Sequence, residues 1–191
     1  PKIKKLSGTI KVPGSKSITN RAIHLAALSK GVSNLDNILI SDDTIAMIHV
    51  WKKLGAEVTF RSPDCISITG TEARPKYPEH TTVNARDAGT VARFVASALT
   101  LSYQSCNLSA SDQMCSRPMK ELFLALEKFG ARITYLDTPY HLPISITNEE
   151  KLKSHCHIEI DTSRSSQFLS SLLMTAPLQS LNTTIQATGQ M

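Results

Sequence analysis

Apolar positions recur along this chain with a spacing that separates helix from strand. Met47, Val50, Trp51 and Leu54 fall at i, i+3, i+4 and i+7, which is one apolar stripe on a helix that packs against a sheet. Leu122, Ala125, Leu126 and Phe129 repeat the stripe 75 residues later. Each stripe runs into a glycine, Gly55 or Gly130, at the position of a left-handed helix stop, and strand-like alternation follows at 57–60 and 132–135. A second kind of helix is predicted at 22–28, 94–101 and 168–174, where residues are apolar on nearly every side and read as buried all round.

Short strands at Lys11-Val12, Thr82-Val83 and 158–160 precede these buried helices, each through a small polar loop at 14–17, 87–90 or 162–166. Arg21, Arg93 and Gln167 occupy their early turns, 72 and then 74 residues apart. The repeating unit is therefore strand, polar loop, buried helix, strand, amphipathic helix, strand. Its copies run over about 12–80, 81–154 and 155–191, the third holding only one further strand near 183–187. The pattern predicts a pseudo-threefold α/β domain cut inside its last unit. Connections and hairpins are predicted at 62–80 and 137–154, with no linker dividing the chain.

Composition narrows the picture. With 191 residues, 41% hydrophobic and 19% charged, the chain can bury a core, which argues against disorder and against a disulfide miniprotein. Its apolar runs fall well short of the roughly 20 residues a membrane-spanning helix needs. Lys2, Lys4 and Lys5 are followed by polar sequence, so no secretory signal is predicted. Cys65, Cys106, Cys115 and Cys156 form no CxxC pair, which reads as reduced thiols in a cytoplasmic setting, with an organelle such as the plastid left open. A net charge of +5 with only 5% aromatic residues favours small anionic ligands over nucleic acid.

The polar loops supply the candidate chemistry. A strand turning through small residues into a buried helix presents the first N–H groups of that helix, an environment that suits anions. Lys16 adds an ammonium, Ser17 and Thr90 add hydroxyls, and Gly14 and Gly89 allow close approach to the backbone. Arg21, Arg93 and Arg117 can grip carboxylate or phosphate with two prongs. Capping alone would explain the serines and threonines. An arginine in the first turns of an apolar helix requires a partner or ligand, because an unpaired buried charge costs several kcal/mol. Without GxxxxGK[ST], Lys16 is not a P-loop lysine. His155 and His157 share a strand face, but no third metal ligand is placed beside them, and Asp42 and Asp43 are expected to cap the helix after them.

Val12-Pro13-Gly14-Ser15-Lys16-Ser17-Ile18-Thr19-Asn20-Arg21, Ser41-Asp42-Asp43-Thr44, Ala88-Gly89-Thr90 with Arg93, Arg117-Pro118 and Ser165-Ser166-Gln167-Phe168-Leu169 together resemble the 5-enolpyruvylshikimate-3-phosphate synthase family. The related UDP-N-acetylglucosamine enolpyruvyl transferases, which typically carry Lys-Asn where this chain has Lys16-Ser17, are the runner-up within the fold. The resemblance implies an inside-out α/β barrel, two halves closing around the ligands, with residues 1–11 forming a strand of the other half. It implies transfer of an enolpyruvyl group from phosphoenolpyruvate to the 5-hydroxyl of shikimate 3-phosphate, with no metal or organic cofactor; composition and the short apolar runs argue against a nucleic-acid or membrane partner.

By the same resemblance, Lys16 contacts phosphoenolpyruvate at the reacting centre and is the catalytic candidate. Ser17 and Arg21 hold the shikimate carboxylate, Ser165 and Ser166 its phosphate, and Gly89, Arg117 and Gln167 the phosphate of phosphoenolpyruvate. Arg93, Thr90 and Asp87 support them. Asp87 stands where the family commonly has Asn, which places a negative charge near the anion unless Arg86 or Arg93 neutralises it. Gln113 and Cys115 replace residues that are often basic. The family's acidic proton-transfer groups are expected beyond Met191, in the C-terminal portion that would partner this chain, so the isolated chain is expected to be inactive. A noncatalytic anion-binding module is the competing class.

Overall fold

The computed structural model describes residues 7–10, 12–148, 155–163, 165–179 and 182–189. Six α-helices and nine strands follow one another as α1 (Lys16–Leu28), β1 (Val32–Leu35), α2 (Asp42–Lys53), β2 (Glu57–Ser62), β3 (Cys65–Thr69), β4 (Thr81–Asn84), α3 (Gly89–Leu99), β5 (Cys106–Ser109), α4 (Asp112–Cys115), α5 (Lys120–Lys128), β6 (Ala131–Tyr135), β7 (Ile144–Asn148), β8 (His155–Asp161), α6 (Ser166–Thr175) and β9 (Asn182–Thr188). Three sheets form, ordered β1-β3-β2, β4-β5-β7-β6 and β8-β9. The pairs β4–β5 and β8–β9 are parallel while the hairpins β2–β3 and β6–β7 are antiparallel, so the second and third units open alike. None of the described helices is long and apolar enough to cross a membrane.

The stripe of α2 is buried as the spacing requires, with Met47, Trp51 and Leu54 fully enclosed, and Leu122, Leu126 and Phe129 do the same for α5. Gly55 and Gly130 stop these helices at φ +97° and +85°, values a side chain adopts only under strain. Helix α3 lies in the middle of the core and packs against both α1 and α6. It is buried from Thr90 to Leu99.

Burial of the other two central helices is less complete than expected, since α1 leaves Ile18 and Leu25 exposed and α6 leaves Leu173 exposed. Helix α3, by contrast, is enclosed along its length from Thr90 onward. The strand expected at Lys11-Val12 also differs: Lys11 lies outside the described residues, and Val12 is 70% exposed and belongs to no strand. Among the described residues β1 pairs only with β3, antiparallel, in contrast to β4 beside β5. Residues 1–6 of the strand expected at 1–11 lie outside the described residues, and 7–10 are not in a strand. Residues 62–80 and 137–154 contain β3 and β7, the inner strands of hairpins, whose Ile66, Ile68, Ile144 and Ile146 are fully buried.

Candidate functional site

The N-terminal halves of α1, α3 and α6 are tied together in a ring by one side-chain hydrogen bond per pair. Asn20 Nδ2 on α1 donates to Thr90 Oγ1 on α3 at 2.8 Å. Arg93 Nη1 on α3 donates to Gln167 Oε1 on α6 at 2.7 Å, and Arg21 Nη2 on α1 donates to Ser170 Oγ on α6 at 3.1 Å. Two stacking contacts follow the same order around the ring: the Arg21 guanidinium lies 5.2 Å from the Phe94 ring centroid, and that of Arg93 lies 5.2 Å from Phe168. Each arginine thus rests on the phenylalanine one unit further on, an arrangement that holds a cation against a desolvated surface. Gln167 takes the place of a third arginine.

Arg93, Arg117, Gln167 and Gly89 converge in front of α3. A Cβ added at Gly89 would strike Arg93 Nη1 and come within 3.5 Å of Arg117 Nη1, so both guanidiniums reach the start of this helix. Burial first, and then the charge of Arg117, hold the Arg93 guanidinium below its ordinary pKa. Two like charges drawn together make a place that suits an anion. The N-cap of α3 is Ala88, whose side chain accepts no hydrogen bond, whereas Ser15 and Ser165 cap α1 and α6. The first-turn N–H groups of α3 thus have no capping side chain to compete with a ligand. Gly89→Ala should therefore push the Arg93 guanidinium aside and weaken inorganic phosphate binding about 10-fold. Titration calorimetry beside a urea melt separates that loss from unfolding.

The other candidates are placed as follows. Lys16 opens α1, with Nζ 2.9 Å from Asp43 Oδ2 in the first turn of α2, so Asp43 has an ionic partner beyond its place near the helix start. Ser41, and not Asp42 or Asp43 as expected, provides the cap of α2 through a reciprocal bond with Thr44, while the two aspartates lie in its first turn. Ser17 presents its carbonyl to Arg21 Nη1 at 3.1 Å. Ser165 Oγ accepts from the Gln167 N–H at 3.2 Å, and the Ser166 carbonyl accepts from Ser170 Oγ at 3.0 Å. The capping role of Ser165 is therefore real, and the hydroxyl of Ser166 is left for other use.

Three expectations change. Thr90 is buried and its hydroxyl is turned inward to Asn20, because the packed α1–α3 contact consumes it. Gly14 is required by packing: a Cβ there would collide with the Asn37 carbonyl and come within 2.9 Å of Leu39 N. Asp87 forms no ion pair with Arg86 or Arg93 among the described residues; its carboxylate instead accepts a short hydrogen bond from the Ser111 hydroxyl, which ties the α3 loop to the start of α4. His155 and His157 share the exposed face of β8, and among the described residues no group of three or more His, Cys, Asp or Glu could hold a metal ion.

Asn20, Ser170 and Ser111 escaped the sequence reading. Only Asn20 carried a signal, as a polar residue entering an apolar helix. His24 escaped it too: it is fully buried between Trp51 and Phe94, with ring centroids 5.3 and 5.6 Å away and neither ring nitrogen bonded. Burial lowers its pKa to about 3.

Residues 1–191 match the family model described as EPSP synthase (3-phosphoshikimate 1-carboxyvinyltransferase). Curated relatives bearing the name 3-phosphoshikimate 1-carboxyvinyltransferase include that of Shewanella pealeana, 37% identical over 190 residues, and that of Citrobacter koseri, 38% identical over 190 residues. Both alignments cover 99% of this chain and 44% of the relative, so the chain spans less than half the length of these relatives. A solved EPSP synthase from Acinetobacter baumannii shares the fold, with a TM-score of 0.84 at 22% identity, over 96% of this chain and 41% of that one.

Proposed function

The chain belongs to the EPSP synthase family, and from that premise we propose that it supplies the shikimate 3-phosphate cradle and part of the phosphoenolpyruvate cradle for enolpyruvyl transfer. The observation that carries this reading is the pairing of Arg93 and Arg117 in front of an α3 start that has no capping side chain, with Gln167 bonded to Arg93. Charge-assisted contacts from Arg117, Gln167 and the Gly89 N–H receive the phosphate of phosphoenolpyruvate and stabilise charge as it leaves. Arg21 and Ser17 take the shikimate carboxylate, and Ser165 with Ser166 takes the shikimate phosphate. Arg93, Thr90 and Asp87 hold this surface from behind.

In the proposed reaction the 5-hydroxyl oxygen adds to C2 of phosphoenolpyruvate while C3 gains a proton and the hydroxyl proton is lost, giving a tetrahedral ketal phosphate. The C2–O bond to phosphate then breaks and C3 loses a proton, leaving the enolpyruvyl ether and inorganic phosphate. Lys16, whose ammonium is steadied by Asp43, serves the reacting oxygens. The proton-transfer acids belong to the C-terminal remainder of the enzyme, which is this chain's partner across the ligands. Reduced cysteines suit a cytoplasmic setting: the four are free, and burial raises the pKa of Cys106 to about 12, which leaves that thiol unreactive.

Shikimate 3-phosphate is expected to shift the amide resonances of Ser17, Arg21, Ser165 and Ser166 in a nitrogen-15 correlation spectrum. Spectra unchanged at millimolar ligand would remove these residues from the cradle.

A further inference from the structure

One serine hydroxyl, that of Ser170 in the second turn of α6, joins two of the helix starts that form the ring. Its Oγ accepts from Arg21 Nη2 on α1 at 3.1 Å and donates to the Ser166 carbonyl on α6 at 3.0 Å. Chemistry fixes both roles. A guanidinium has only donors, so the hydroxyl accepts from it, and the single Ser170 proton goes to the carbonyl one turn back, which can only accept. The lone pairs of Oγ are thereby held toward α1.

Three contacts hold the Arg21 guanidinium. Nη1 donates to the Ser17 carbonyl at 3.1 Å, Nη2 donates to Ser170, and the face of the group lies 5.2 Å from the ring centroid of the fully buried Phe94. The Ser17 bond is internal to α1, so Ser170, 149 residues away, is the hydrogen-bonding partner that ties Arg21 to a second element. Both acceptors are neutral. Among the described residues no carboxylate pairs with Arg21, so Ser170 locates the guanidinium without cancelling its charge. A carboxylate arriving from solution then meets a cation already in place, and less side-chain freedom is lost when it binds.

We infer that Ser170 is a positioning residue which, through Arg21, makes the cradle select ligands that carry a carboxylate. With its one proton committed to Ser166, it has no donor of its own to offer a ligand. The inference rests on the reading in which Arg21 takes the carboxylate of shikimate 3-phosphate, and it adds the group that keeps Arg21 ready to do so.

Titration calorimetry of the chain with shikimate 3-phosphate and with its carboxylate methyl ester tests the inference, because the ester keeps the phosphate and the ring hydroxyls and loses one charge. The parent chain is expected to prefer the acid by at least about 10-fold. Ser170→Ala should cut that preference to about twofold, with the ester and inorganic phosphate bound as before. Ser170→Thr should restore it, since a threonine hydroxyl in a helix can make the same bond to the carbonyl one turn back. Urea unfolding of Ser170→Ala should show no loss of stability, because alanine is the better helix former. An alanine variant that is destabilised, that loses acid and ester in equal proportion or that keeps the full preference would overturn the inference and leave the Arg21 assignment standing, as would a threonine variant no better than alanine. A parent chain that binds acid and ester alike would overturn both.

Discussion

Gln167→Glu will make the fold more stable and the anion cradle nearly empty, two effects of opposite sign from one atom. Arg93 offers only N–H donors, so its 2.7 Å bond to Gln167 fixes Oε1 toward the guanidinium and turns Nε2, with its two hydrogens, the other way. The arginine cannot easily yield, because it is buried, stacked on Phe168, and backed by a glycine whose Cβ would clash with it. Glutamate in the same rotamer keeps the bond and makes it charge-assisted, a gain of about 1 kcal/mol. It also replaces a donor with a carboxylate oxygen facing a dianion. The expected loss in inorganic phosphate affinity is about 100-fold, or about 3 kcal/mol. Calorimetric binding and urea unfolding of the same variant check both halves. A variant that loses stability together with affinity would show that Gln167 points its oxygen into the cradle, and the assignment of its donor role would fail.

That orientation was beyond the reach of the sequence, and the reason is general to this chain. What the sequence displays well is periodic: the stripes of α2 and α5, the glycine stops at Gly55 and Gly130, and the three helix starts with Arg21, Arg93 and Gln167 in step. Each of these is set by residues within one or two turns of each other, so spacing alone determines it. The ring around the cradle is set by contacts across 70, 74 and 149 residues, and no local rule chooses Thr90 as the partner of Asn20 or Ser170 as that of Arg21. Shorter separations, still beyond any local rule, hid the Lys16–Asp43 pair and the collision that makes Gly14 obligatory. Resemblance named Arg93 as support, yet only geometry joins it to the amide of Gln167.

His24 sets the second large effect, on stability against acid. Its imidazole is fully enclosed, contacts Trp51 and Phe94, and finds no hydrogen-bond partner at either nitrogen. Burial lowers its pKa from 6.5 to about 3 in the folded chain, so the folded state refuses a proton that the unfolded state accepts. Above pH 6.5 neither state binds it and His24 contributes no pH dependence. As the pH falls from 6.5 toward 3, the unfolded state alone becomes protonated, and stability drops by up to about 1.4 kcal/mol per pH unit, levelling off below 3. His24→Leu fills a similar volume and removes both the bare nitrogens and the titration. At pH 7 the variant should match or slightly exceed the parent chain in urea unfolding; at pH 4 it should be more stable by about 3 kcal/mol. Parallel stability profiles for the two proteins between pH 7 and 4 would mean that the folded state protonates His24 as readily as the unfolded one. The stack from Arg21 through Phe94 to His24 would then be open enough to let a charge in, and the cradle above it would rest on a softer floor than the packing of α1 against α3 implies.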